Sequence, residues 1–314
     1  MNRHQDTENR ARIARVTCGW KKPALPLEVV RRYWRDVHSP AIARRAGIWD
    51  YRHYQYDPVR DDLFAPVSGI EYGCPADTQL MWTSDVRYAD EAGLAAFSNS
   101  PDGDARALLL EDIELIVDRS TTYKSVGTNA RTWIDVTGVA MPQGPVPKPQ
   151  YGLFFRQRGE QAAFRRSLES LAERWAAAAG VLRLRLSLFD VPDMEAERKA
   201  GYPVKTHPIE QQYQAWIDLI VDDQRHLGPL LGGDDDARLA RHVHTLHSHP
   251  VRVVYTSVYA GRPTLVGLRG YPAWNAIEGL GASHQRQAAL LEWMYGEVAR
   301  GGAVQEDGPG EQST

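Results

Sequence analysis

No long apolar run occurs in this chain of 314 residues. None approaches the length of about 20 residues that a membrane-spanning helix needs, so membrane partners are not expected. Cysteine is scarce as well. There are two, Cys18 and Cys74, with no second thiol at ligand or redox spacing. That excludes a disulfide framework and favours a reducing cytoplasm. Charge of one sign is also missing: a formal net charge of -3 offers no basic footprint for nucleic acid. Arginine is plentiful but interleaved with acids, as in Arg31-Arg32-Tyr33-Trp34-Arg35-Asp36. The first residues, MNRHQDTENRAR, lack the apolar core of a secretory signal. Three reaction signatures are absent too. Gly232-Gly233 has no strand context for a phosphate loop. No Gly-x-Ser-x-Gly elbow is present, and no dinucleotide fingerprint. The remaining expectation is a globular cytoplasmic protein with a small-molecule partner, homodimer formation left open, and frayed polar ends.

What the sequence does contain is a unit used twice. Ile13 to Trp20 alternates like a strand. Pro26 to Ala46 has helical spacing and stops at Gly47, with a kink or break expected just after His38 because of Pro40. Ile48 to Tyr56 is an aromatic strand, and a long loop follows. Gln79 to Tyr88 is a strand, Asp90 to Phe97 and Asp104 to Val117 are helices, and Ser120 to Val126 is a strand. This β-α-β-β-α-β order is the ferredoxin-like arrangement. It recurs from Tyr151 to Tyr259, with Gly47 matching Gly180, Trp82 matching Trp216 and Tyr123 matching Tyr255. The division is residues 1–140, a proline-rich linker at 141–150, a second unit with a C-terminal helix at 151–300, and a disordered tail at 301–314. The expected class is α+β: two βαββαβ repeats whose sheets face each other within one chain and enclose a pocket between them.

Trp20-Lys-Lys-Pro23, Tyr33-Trp-Arg-Asp-Val-His-Ser-Pro40 and Gly47 through Tyr51 together make a recognisable pattern. It is a strand ending near Lys-Pro, an aromatic helix ending in His-x-Pro, and a tyrosine in the next strand. In this the stretch Arg12 to Val126 resembles the EthD-like family of the dimeric α/β-barrel superfamily. The resemblance implies His38 and Tyr51 as functional residues. It also implies activities of the cofactor-free isomerase, cyclase, dehydratase or decarboxylase kind on lactones or aromatic polyketides. The second half departs from the pattern, with Leu171 and Leu184 at the two positions, so one pocket per chain is expected. More distant relatives bind haem or are monooxygenases, which gives the alternative: haem, with His244, His247 or His249 as axial ligand.

The residues themselves carry the rest. His38 suits a general acid or base, because imidazole titrates near working pH; the competing reading is a cap on the helix C-terminus. Tyr51 could donate to a developing oxyanion or be a satisfied core aromatic. Alternation puts Trp49, Tyr51, His53 and Gln55 on one strand face, and this face is the expected pocket lining, with His53 in a supporting catalytic role. Trp82, Tyr123 and Tyr255 are candidate substrate contacts. Asp85 is a candidate to hold a histidine tautomer. His242, His244, His247 and His249 have spacings a metal could use, but no acid sits among them, and no metal site is assigned.

Overall fold

The computed structural model describes residues 3–296 apart from 102, 194, 196–207, 209–210 and 233. Most of the 190–208 loop and all of the 301–314 tail therefore lie outside the described residues. The fold is mixed α+β, built on a single antiparallel sheet. A short helix, α1 (Arg3–Asn9), precedes β1 (Ile13–Lys21). Then come α2 (Leu27–Tyr33), a π-helical turn (Trp34–His38) and α3 (Ser39–Ala43). β2 (Asp50–Tyr56), β3 (Trp82–Tyr88), α4 (Glu91–Ser98), α5 (Gly103–Ile116) and β4 (Val117–Val126) complete the first half. After β5 (Ala130–Asp135) and β6 (Gln143–Pro145), the second half runs through β7 (Gln150–Gln157), α6 (Gln161–Ala176), β8 (Val181–Leu188), β9 (Ala215–Val221) and a helix at Asp234–Leu239. It ends in β10 (Val243–Tyr259). Three short helices follow, Leu265–Arg269, Tyr271–Leu280 and Ala288–Tyr295, the last within the stretch expected to hold the C-terminal helix.

The strand order is β4-β1-β3-β2-β10-β7-β9-β8-β5. Within each half the strands lie fourth, first, third, second. The halves are joined in two places. β10 pairs β7 with its first part and β2 with its second. β4 pairs β1, and β5, only three residues further on, pairs β8. The two ends of the strand order are thus consecutive in the chain, and the sheet curls round into a barrel. Side chains meet across its interior: Tyr54 packs edge-on against Trp216 and Tyr56 against Phe154.

Helices cover the outside. α6 buries Phe164, Leu168, Leu171 and Trp175 against Leu184, Leu186 and Leu188 of β8. This layer is wholly apolar, and β8 shows why: in VLRLRLSL the leucines face α6 while Arg183, Arg185 and Ser187 face the interior. Buried aliphatic surface of this kind stabilises by roughly 25 cal/mol per Å².

The interior is not lined by the expected face of β2. The inward face of β2 carries Asp50, Arg52, Tyr54 and Tyr56; Tyr51, His53 and Gln55 point outward beneath the helices. The physical reason is pairing. A curled sheet lets inward charges on different strands pair, as Arg87 does with Asp85 and Asp50, and Arg183 with Asp135 and Asp218. The expected frayed N-terminus is also corrected. α1 closes one end of the barrel, and Glu8, 1% exposed, reaches Arg52, Arg183 and Thr132. Burial would push the Glu8 carboxyl up, but Arg183, Arg52 and Arg87 hold it well below the usual range.

Candidate active site

The sequence-nominated residues divide between two layers. His38, Tyr51, His53, Trp82 and Tyr255 lie between the first-half helices and the outer sheet face. Asp85 and Tyr123 lie inside the barrel, and Trp49 sits at the barrel end, its indole donating to the Thr7 carbonyl at 3.0 Å.

The outer layer is organised by the π-helical turn. Pro40 has no N–H to offer the Asp36 carbonyl, and the Ser39 N–H reaches back five residues to the Trp34 carbonyl. The chain widens before the proline instead of breaking after His38. Both Trp34 and His38 are thereby buried on the sheet side. Trp34 is the hub: its ring centroid lies 4.2 Å from that of His38, 5.0 Å from Trp82 and 6.3 Å from His53. Its indole N–H donates to Ser84 Oγ at 3.3 Å. Trp82 fits because Gly19 lies opposite it on β1; any Cβ at that position would overlap the indole. Tyr255, cross-strand neighbour of His53, stacks on it at 6.4 Å and lies beside Arg35, which also sits over Tyr271 at 4.8 Å.

His38 is 4% exposed, and its Nδ1 lies 3.3 Å from the Asp112 carboxylate on α5. The partner expected from sequence, Asp85, is on the wrong face of β3 and binds Arg87 instead. Asp112 also accepts the Tyr33 hydroxyl at 2.5 Å. The His38 and Tyr33 hydrogen bonds hold Asp112 below the ordinary carboxylate range against its partial burial, and the Asp112 bond pushes the Tyr33 phenol up to about 12. A carboxylate on Nδ1 places the proton there and leaves Nε2 as the basic nitrogen.

His53 is fully enclosed, and burial, helped by His38 and Arg35, lowers its pKa to about 3. It is therefore a neutral imidazole. The Gln55 amide nitrogen, which donates to the Arg31 carbonyl, also lies 3.3 Å from His53 Nε2. That makes Nε2 the acceptor and puts the ring proton on Nδ1. His53 Nδ1 and Trp82 Nε1 are buried N–H groups with no hydrogen-bond partner among the described residues.

Tyr51 belongs to the same layer but bonds the Ser39 hydroxyl at 2.9 Å rather than His38. Burial raises its pKa. Tyr123 stacks on Phe189 inside the barrel, and its hydroxyl accepts the Tyr213 N–H at 2.9 Å. Sequence reasoning counted Trp34 only as a core position and missed Tyr33, Asp112 and Ser84. Asp112 had no local signal, because only tertiary packing brings α5 against the π turn.

The second-half histidines do not converge on a ligand position. His244 is half-exposed and bonds Thr245. His247 has both ring nitrogens engaged, by Tyr213 at 2.7 Å and the Gly73 carbonyl at 3.0 Å. His249 is packed between Tyr56 and Phe154, with Nδ1 3.3 Å from the Asp57 carbonyl and a buried Nε2 that has no partner among the described residues. Among the described residues, no group of three or more His, Cys, Asp or Glu side chains is arranged to hold a metal ion, and no helix is long and apolar enough to cross a membrane.

No protein-family model and no curated protein matches the chain. Several solved structures are similar in shape. A protein from Fusobacterium nucleatum subsp. nucleatum described as a candidate monooxygenase is 8% identical over 81% of this chain and 97% of its own, at a TM-score of 0.45. An anthrone oxidase-like protein is 7% identical over 78% and 93%, at 0.44. A chlorite dismutase mutant from Candidatus Nitrospira defluvii is 9% identical over 80% and 95%, at 0.37. At scores and identities this low, the similarities assign the chain neither a family nor an activity.

Proposed function

We propose that this chain is a duplicated ferredoxin-like protein of EthD-like type whose first half alone carries an active site, and that it catalyses cofactor-free proton transfer. The reaction class is cyclisation, dehydration, isomerisation or decarboxylation of a hydrophobic, oxygenated, aromatic or polyketide-like molecule. The shared strand order of the two halves supports the duplication. The contrast between their helix–sheet layers supports a single site: α6 buries only apolar and aromatic side chains against β8, whereas the first layer also holds the imidazoles of His38 and His53 and the hydroxyls of Ser39, Tyr51 and Ser84.

One observation carries the reading. Around Trp34 lie a carboxylate-held imidazole, His38, and two buried N–H donors with no acceptor among the described residues, His53 Nδ1 and Trp82 Nε1. His38 Nε2 takes a proton from carbon or phenol, and Asp112 stabilises the imidazolium that forms. The two N–H groups receive the enolate or phenolate oxygen, and enclosure strengthens both interactions. Tyr51 is a positioning residue: its bond to Ser39 fixes the residue that follows His38. Arg35, Tyr255 and Tyr271 supply an aromatic, cationic flank for the substrate ring.

The test is turnover of phenolic polyketones and aromatic lactones, read by mass spectrometry. His38→Ala should lose about 10²–10⁴-fold in kcat with the fold intact, and Trp82→Phe about 10²-fold through loss of one donor. Full turnover in His38→Ala would remove the assigned base. Tight ligand binding without turnover in the parent chain, unaffected by either substitution, would favour a non-catalytic carrier.

A further inference from the structure

The barrel interior holds a second cluster that the proposed chemistry does not use. Arg185, 1% exposed, points inward from β8. Its Nη1 donates to Thr132 Oγ1 at 3.0 Å, but its Nε and Nη2 have no partner among the described residues. These two nitrogens form the edge of the guanidinium whose parallel N–H bonds match the two oxygens of a carboxylate. Elsewhere the chain uses this same edge in that way. Arg35 grips Asp36 through Nε and Nη2, both at 2.6 Å; Arg60 grips Asp62 and Arg225 grips Asp223. Arg87 points the same edge at Asp85.

Arg185 differs from the other interior guanidinium groups in having no acid at ion-pair distance among the described residues. Arg183 holds Glu8, Asp135 and Asp218, and Arg52 and Arg87 share Glu8 and Asp50. Two more donors lie on the same inward face as Arg185. Ser187 is two residues along the same strand face, and Trp216 is the cross-strand partner of Ser187. Ser187 Oγ and Trp216 Nε1 are both buried and both without a partner among the described residues. A buried unpaired guanidinium is strongly destabilising unless something accepts its hydrogen bonds.

We propose that Arg185, Ser187 and Trp216 form an interior site for a small planar oxyanion, a carboxylate held bidentately by the Arg185 Nε/Nη2 edge. The site lies inside the barrel, on the opposite side of the sheet from the His38 layer, and does not depend on the reading of that layer. Asp85 Oδ1, also without a partner, lies near enough to act on Arg185. A bridging water between these two groups is the competing occupant.

The experiment is equilibrium unfolding of the full chain in sodium formate exchanged for sodium chloride at constant ionic strength. A ligand that binds only the native state raises the midpoint in proportion to the logarithm of its excess concentration, and equilibrium removes any delay in entering the barrel. Formate should raise the midpoint and chloride should not. Arg185→Lys keeps the charge but loses the fork, so it should weaken the formate dependence about tenfold. Ser187→Ala should weaken it less, and provides the readout should Arg185→Lys fail to fold. Equal midpoints in formate and chloride, or a formate response unchanged in the folded variants, would overturn the proposal and leave water as the partner.

Discussion

His38 acquires its character from a residue far away in sequence. Asp112 sits on a different helix, and nothing in EDIELIVDRS, the stretch that contains it, marks it as the partner of an imidazole. Asp112→Asn should lower kcat about 10–10²-fold and displace the pH–rate profile, since the amide cannot hold the imidazolium. A stability loss with the pH profile unmoved would make Asp112 merely structural. The buried histidines make a separate prediction. Burial lowers His53 and His247 to about 3 and His249 to about 4, so all three are neutral when folded. The unfolded chain takes these protons near pH 6.5, so stability is fully present above that value. It is lost as the pH falls toward the folded values, at up to about 1.4 kcal/mol per pH unit for each group. Denaturation midpoints between pH 7 and 4 should show this slope, and His53→Gln should flatten it by one proton; an identical slope in the variant would mean His53 is not held neutral. The type of residue was legible here: polar aromatics in the first unit and leucines at the matching positions of the second. Their partners were not, because contacts between helices carry no sequence spacing.

At the scale of elements, punctuation was legible and orientation was not. Gly47 and Gly180, read as the stops of two corresponding helices, both have left-handed backbone, at φ +79° and +82°. They differ in what surrounds them. A Cβ at Gly47 would collide with the Gly93 backbone carbonyl, whereas at Gly180 it would meet the side chains of His226 and Asp222, which can move. Gly47→Ala should therefore cost more than Gly180→Ala, with the left-handed strain of about 1–3 kcal/mol common to both. Thermal unfolding of the two variants measures the difference, and equal losses would contradict the packing given for Gly47. Strand alternation sorted the β2 residues into the right two faces but not into inside and outside. Asp50 and Arg52 look like solvent-facing residues on a lone strand. In a ring of strands they face Arg87 and Asp85 instead, their cross-strand neighbours. The π turn was equally hidden. Pro40 announced an interruption, but the compensating bond from Ser39 to Trp34 depends on burial of both flanking aromatic residues.

The whole molecule is a barrel whose interior is part charged and part aromatic, plugged by its own N-terminal helix and carrying the His38 layer on one outer flank. Glu8 ties the plug to Arg52 from one half and Arg183 from the other. Glu8→Ala would leave both guanidinium groups short of a counter-charge and should cost about 3–5 kcal/mol. The deficit should shrink as pH falls through the depressed pKa of Glu8, because the parent loses the same charge there. Urea titrations near pH 7 would refute the plug if the variant matched the parent. That α1 would be buried at all was not legible, since the residue that anchors it in the interior is a glutamate. The account turns on His38 being a base whose proton Asp112 keeps on Nδ1, in a layer where His53 stays neutral. Long-range nitrogen–proton NMR of histidine-labelled protein tests this most directly. The predicted spectrum has His38 protonated on Nδ1 at neutral pH, that preference lost in Asp112→Asn, and His53 neutral down to about pH 4. A His38 tautomer indifferent to Asp112, or a charged His53 at pH 5, would contradict it.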